Sequence, residues 1–139
     1  MRTLALDYGE KRIGVAISDE AGLIAQPLET IARQNALSRS HLDRIRELVS
    51  EFGVVQIVVG LPLHMSGREG EAARAARRFG ADVKEATGMA LEFFDERWTT
   101  RQATRTLDEV GIPRARQKGR LDPIAAALLL DAWLRSLEP

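Results

Sequence analysis

The 139-residue chain contains no cysteine. That excludes a disulfide scaffold, a thiolate nucleophile and any cysteine-ligated zinc or iron–sulfur centre. Histidine is almost as scarce. His41 and His64 stand 23 residues apart with no second histidine at metal-ligand spacing, which argues against a zinc site. No apolar run approaches the ~20 residues that a bilayer span needs. The opening Met1–Leu6 runs into the charged Asp7, which does not fit a secretory signal, so a cytosolic protein is the default expectation. A Gly-x-x-x-x-Gly-Lys phosphate loop is absent, and Gly9 and Gly14 lack dinucleotide-motif spacing.

What is present is an ordinary globular balance, 45% hydrophobic and 29% charged, over one typical domain length. The expectation is a single domain over residues 1–139, large enough to bury its own core. Twenty basic residues balance twenty acidic ones, so overall charge does not announce a polyanion partner. Their distribution is more telling. Between Arg97 and Arg120, seven basic residues (Arg97, Arg101, Arg105, Arg114, Arg116, Lys118 and Arg120) face only Asp108 and Glu109. Such a stretch reads either as a local polyanion site or as a solvated face.

The first third of the chain has strand character. Leu4–Leu6, then Arg12–Ser18, then Leu23–Ile31 are extended runs separated by the turns at Tyr8–Lys11 and Asp19–Gly22. Pro27 marks the third as an edge strand or a bulge. The period then changes to helical, with Ser40 as a candidate cap, Leu42, Ile45, Leu48, Val49 and Phe52 on one face, and Gly53 as the stop. Val54–Val59 is nearly continuous in apolar character, which suits a parallel strand covered on both faces. A loop follows over 60–67, then a helix over 69–86 in which Gly80 is a weak point. Leu91–Phe94 reads as a fifth strand with Asp95-Glu96-Arg97-Trp98 at its end. Thr99 or Thr100 would cap a helix ending at Gly111-Ile112-Pro113, Arg114–Arg120 would form a basic loop, and Asp122-Pro123 reads as the cap and first turn of a last helix. The order predicts an α/β fold with a mixed five-stranded sheet. Strand one lies in the middle, the meander on one side of it, and the two later strands on the other, parallel to it.

This layout brings three acids towards the carboxyl ends of the parallel strands, where ligands bind in such folds. Asp7 ends the first strand, Glu96 follows the fifth, and Asp122 begins the last helix. Converging carboxylates repel unless a cation neutralises them, and all-oxygen ligands suit Mg²⁺ or Mn²⁺. Two such ions about 4 Å apart are a usual device for splitting a phosphodiester. Each acid also has a plainer reading. Asp7 would serve as a strand-end turn residue bonding the backbone of Gly9, and Asp122 as a helix cap. Asp95 and Glu96, being adjacent, face opposite sides, so only one joins a given site, and the residues alone leave that choice even. His64 as a substrate contact and Trp98 as a base-stacking ring compete with solvated and core readings.

The motifs resemble one family. Asp7-Tyr8-Gly9-Glu10-Lys11-Arg12-Ile13-Gly14-Val15-Ala16 resembles the D-[YF]-G-x-[KR]-x-[IV]-G-[VL]-A opening of the YqgF/RuvX family of Holliday-junction resolvases. Val58–Gly67 is similar to its V-x-G-x-P-x-x-x-x-G segment, Asp95–Thr100 to its D-E-R-x-[ST]-[ST], and Lys118 through Asp122 to Ala126 to its K-x-x-x-D-x-x-A-A. The resemblance spans nearly the whole chain. It implies an RNase H-like fold and a divalent-metal-dependent nuclease acting on branched DNA or on the 5′ end of precursor small-subunit ribosomal RNA. It implies Asp7, Glu96 and Asp122 as the catalytic and metal-binding acids. Lys11, Arg97, Arg114, Arg116, Lys118 and Arg120 would then contact nucleic acid. Two departures stand out. RuvC-type resolvases carry their second acid on the strand adjacent to the first, and here that strand ends Gly60-Leu61-Pro62. His64 and Trp98 stand where many relatives carry Asn and Leu.

Two rival functions stay open on sequence grounds. A non-catalytic nucleic-acid or ribosome-assembly factor on the same fold would bind without turnover. An actin-like nucleotide hydrolase would share a related sheet and an Asp-x-Gly opening. Resolving a four-way junction symmetrically requires two active sites, so that role predicts a homodimer.

Overall fold

The computed structural model describes residues 1–33, 38–97 and 114–138, with side chains in the last segment from Pro123 onward. Five strands form one sheet: β1 (Arg2–Tyr8), β2 (Arg12–Ser18), β3 (Ala25–Ala32), β4 (Val54–Leu61) and β5 (Ala90–Asp95). Their order is β3-β2-β1-β4-β5. The first three pair antiparallel, while β4 runs parallel to β1 and β5 parallel to β4. This is the expected mixed sheet with β1 at its centre. Pro27 lies on the edge strand β3, beside a shift in the β2–β3 register, so both consequences of its missing N–H are realised.

Helices cover both faces. On one, α1 (Ser40–Phe52) and α2 (Glu71–Thr87) bury Leu42, Ile45, Leu48, Phe79 and Val83 against Leu4, Leu6, Ile57 and Val59. On the other, α3 (Arg114–Ser136) packs Ala126, Leu129, Leu130 and Trp133 onto Ala5, Ala16 and Val58. Alternate residues of β1 and β4 therefore enter two different cores, which is why both strands read as continuous apolar runs. The Trp133 indole N–H donates to a Glu92 carboxylate oxygen at 2.8 Å, tying α3 to the start of β5. Gly53 takes a left-handed conformation (φ 63°) and ends α1 as expected. No helix among the described residues is long and apolar enough to cross a membrane.

Several boundaries differ from the sequence reading. Ser40 is helical, and Arg39 occupies the cap position with no side-chain cap bond. The nearby hydroxyl that accepts the Ser40 N–H, at 3.4 Å, belongs to Ser38. Helix α2 starts at Glu71, because Glu69 is held extended in a bridge with Leu63. Arg114–Arg120 is helical backbone, not a loop, so Asp122 and Pro123 lie inside α3. Apart from Gly119, the residues ahead of Asp122 are good helix formers, and their propensity overrides the Asp-Pro start signal. Gly80 is a packing site within α2, since a Cβ there would strike the Phe93 ring. The helix expected between Thr99 and Gly111, and Trp98, fall outside the described residues.

Candidate active site

Asp7 follows Ala5 on the α3-covered face of β1. On β4, Val58 and Gly60 share that face, and Gly60 pairs with Phe94 of β5, which packs into the same core. Glu96 emerges two residues later, just past the end of β5. Its backbone N–H donates to the Leu61 carbonyl at 3.3 Å, which continues the β4–β5 pairing by one more bond.

The glycine at position 60 is what lets this acid cross the end of β4. A Cβ built there would collide with the Glu96 carboxylate, and would also stand 3.3 Å from Leu129 Cδ2 on α3. The Glu96 carboxyl fills that space and hydrogen-bonds Asp7. Burial pushes Glu96 up to about 9, and the Asp7 charge, the bond to Asp7 and the Asp95 charge act in the same direction. Near neutral pH the Asp7–Glu96 pair thus holds one proton between its two carboxyl groups.

The neighbouring acid behaves oppositely. Asp95 accepts from Arg97 Nε at 2.9 Å, from Arg97 Nη2 at 2.7 Å and, through its other oxygen, from the Arg97 backbone N–H at 3.0 Å. That contact holds the Asp95 carboxyl below the usual carboxylate range. The choice that the residues alone left even is resolved by direction: Glu96 meets Asp7, while Asp95 meets Arg97.

As a donor set, Asp7 and Glu96 offer only oxygens, forced together beside an apolar wall. Such a pair fits a hard divalent cation, which would replace the shared proton. Among the described residues, no group of three or more side chains of metal-ligating type is assembled. Asp122, the expected third acid, belongs to the stretch of α3 whose side chains lie outside the description, as do Arg114, Arg116, Lys118 and Arg120. Lys11 is exposed in the β1–β2 turn and borders a cleft with Tyr8, Arg33 and His41 on the opposite sheet face. The reading of residue types missed two features. Gly60 was a position noticed only for lacking an acid, and nothing in the local pattern tied Asp95 and Arg97 into a pair.

Comparison with known proteins bears on the family and on the architecture. A family model described as "RuvX: Holliday junction resolvase" matches residues 1–136. A Myxococcus xanthus protein provisionally named a pre-16S rRNA nuclease is 42% identical over 139 residues, covering 100% of this chain and 91% of the relative. A Geobacillus kaustophilus protein with the same provisional name is 43% identical over 136 residues, covering 98% of this chain and 99% of the relative. Among solved structures, Thermus thermophilus RuvC in complex with a Holliday junction substrate superposes with a TM-score of 0.59 at 18% identity, covering 99% and 96% of the two chains. The fowlpox virus resolvase in complex with Holliday junction DNA gives a TM-score of 0.60 at 12% identity, with both chains fully covered. At these identities the superpositions speak for the architecture alone, which is RNase H-like.

Proposed function

Because the chain belongs to the RuvX family, described as Holliday junction resolvases, we propose that it is a nuclease that hydrolyses phosphodiester bonds with Mg²⁺ or Mn²⁺. Precursor 16S ribosomal RNA is the substrate we favour, since that is what the names of relatives at about 40% identity specify. Branched DNA is the second reading, from the family description.

The observation that carries the proposal is the Asp7–Glu96 pair seated over Gly60. Its two carboxyl groups would hold the cation, and Asp122 would supply a third carboxylate. Helix α3 runs from Trp133, bonded near the start of β5, to Leu129, beside Gly60 near the end of β4. Seven residues further back, about 10 Å along the axis, the backbone at 122 extends the same way. Bound cations would activate the attacking water and neutralise charge on the leaving oxygen, and two ions are the expected complement. Asp7 and Glu96 would hold and orient such ions, and Leu129 would keep bulk water from the Glu96 side. Lys11, Arg114, Arg116, Lys118 and Arg120 would hold backbone phosphates, so affinity falls steeply with salt. Residues 1–139 act as one nuclease domain, and cutting a junction symmetrically calls for two copies.

The test is ion-dependent cleavage of matched panels: four-way, flap and linear DNA beside a precursor 16S rRNA fragment, with Asp7→Asn and Glu96→Gln as controls. Cleavage should require Mg²⁺ or Mn²⁺ and vanish in both variants. Cleavage that survives chelator, or normal cleavage by Asp7→Asn, rejects the mechanism. Binding that survives chelator with no turnover on any substrate establishes the non-catalytic factor instead.

A further inference from the structure

Sequence reading groups Arg97 with the phosphate-binding cations. Its guanidinium is engaged elsewhere. The Nε and Nη2 edge lies against the Asp95 carboxylate, at 2.9 and 2.7 Å, and Nη1 donates to the Met65 carbonyl at 3.1 Å. Met65 belongs to the β4–α2 loop over residues 62–70. That loop is closed on itself by the Leu63–Glu69 bridge, by the His64 N–H on the Arg68 carbonyl at 2.9 Å, and by the Gly67 N–H on the His64 carbonyl at 2.7 Å. Gly67 adopts φ 89°, and a Cβ there would come within 3.8 Å of Arg97 Nη1. The loop tip thus folds around the guanidinium, and Met65 stays 53% exposed.

We infer that Arg97 is a positioning residue: Asp95, Arg97 and the Met65 carbonyl form a strut that holds the β4–α2 loop against the end of β5 and so fixes Glu96. The inference rests on the nuclease reading for its consequence but not for its geometry. Glu96 lies between the two members of the pair, and its own N–H is bonded to Leu61, where the loop begins. Both ends of its short backbone segment are therefore tied to the same loop. A charge-assisted fork already satisfied by a carboxylate leaves a phosphate to compete for the same edge. Lysine cannot replace it, because one ammonium cannot span a bidentate carboxylate and a carbonyl together. Misplacing a reacting group by about 1 Å costs on the order of 100-fold in rate.

The experiment compares Arg97→Lys, Asp95→Asn and the double variant on a four-way DNA junction and a precursor 16S rRNA fragment, with amide hydrogen exchange on each protein. The strut predicts a fall in kcat of about 100-fold in both single variants, with the double no worse, and unchanged KM and salt dependence of binding. It also predicts faster exchange at the Gly67 and Glu96 amides in Arg97→Lys. A direct phosphate contact predicts instead that Arg97→Lys retains near-normal activity, or that Arg97→Ala, measured alongside, lowers the salt slope by about one. Either result overturns the inference, as does normal activity in Asp95→Asn. Should the wild-type protein cleave neither probe, the nuclease reading fails separately and the exchange data decide: faster exchange at the two amides upholds the strut, and unchanged exchange rejects it.

Discussion

Gly60 and Glu96 occupy one space between them: the side chain that position 60 lacks is replaced by the carboxyl that position 96 sends across the end of β4. An acid is thereby delivered to Asp7 from the strand beyond its neighbour. This accounts for a β4 that ends without an acid of its own.

Gly60→Ala should consequently impair chemistry more than folding. The added methyl displaces the Glu96 carboxyl, and overpacking of this kind costs typically 1–3 kcal/mol. Loss of Glu96 from its place should lower cleavage by about 100-fold or more. Parallel measurement of the melting temperature and the cleavage rate checks this, and a variant with near-normal rate would show that the crossing is dispensable.

Asp7→Asn is expected to raise the stability of the metal-free protein while abolishing cleavage. It removes one of two carboxyl groups that disfavour each other's charge, and an amide in its place still bonds Glu96. The gain should be on the order of 1 kcal/mol, read by denaturant unfolding in chelator. Mn²⁺ should stabilise the wild type and leave the variant nearly unchanged. A variant less stable than the wild type in chelator would mean that Asp7 is a structural strand-end residue.

His41 is 5% exposed and its Nδ1 has no hydrogen-bond partner among the described residues. Burial first, and then Arg33 and Arg39, hold its imidazole below the ordinary histidine range, with Asp82 and Asp43 opposing them. The folded state therefore prefers neutral His41 more than the unfolded chain does. Its contribution is full above the unfolded value near 6.5 and is lost progressively as pH falls below it. His41→Leu should flatten the dependence of stability on pH between about 7 and 5. Equal slopes for variant and wild type would assign the acid sensitivity to other groups.

Gly80→Ala sets two effects against each other. Helix propensity favours alanine by about 1 kcal/mol. The methyl, however, would enter the Phe93 ring, which lies on the β5 side of α2 with the Arg77 guanidinium 5.1 Å from its centroid. Overpacking against a ring buttressed in this way costs more, typically 1–3 kcal/mol, so net destabilisation is expected in a thermal melt. A stabilised variant would mean that Phe93 swings aside freely.

Much of this molecule was written in local pattern. Alternating and continuous apolar runs gave the strands, the change of period gave α1 and α2, and the order of elements gave a central β1 flanked by a meander and two parallel strands. These follow from periodicity and chain connectivity, which neighbouring residues carry by themselves. Helix starts were less legible. Ser40 and Asp122 both carry cap chemistry, yet flanking residues decided where the backbone turned helical. The meeting of Glu96 with Asp7, the space at Gly60 and the engagement of Arg97 with Asp95 and Met65 were decided only when three strand ends came side by side. Residues 7, 60 and 96 are far apart along the chain, and contacts between them depend on sheet register and on which face each side chain takes, neither of which any one segment specifies.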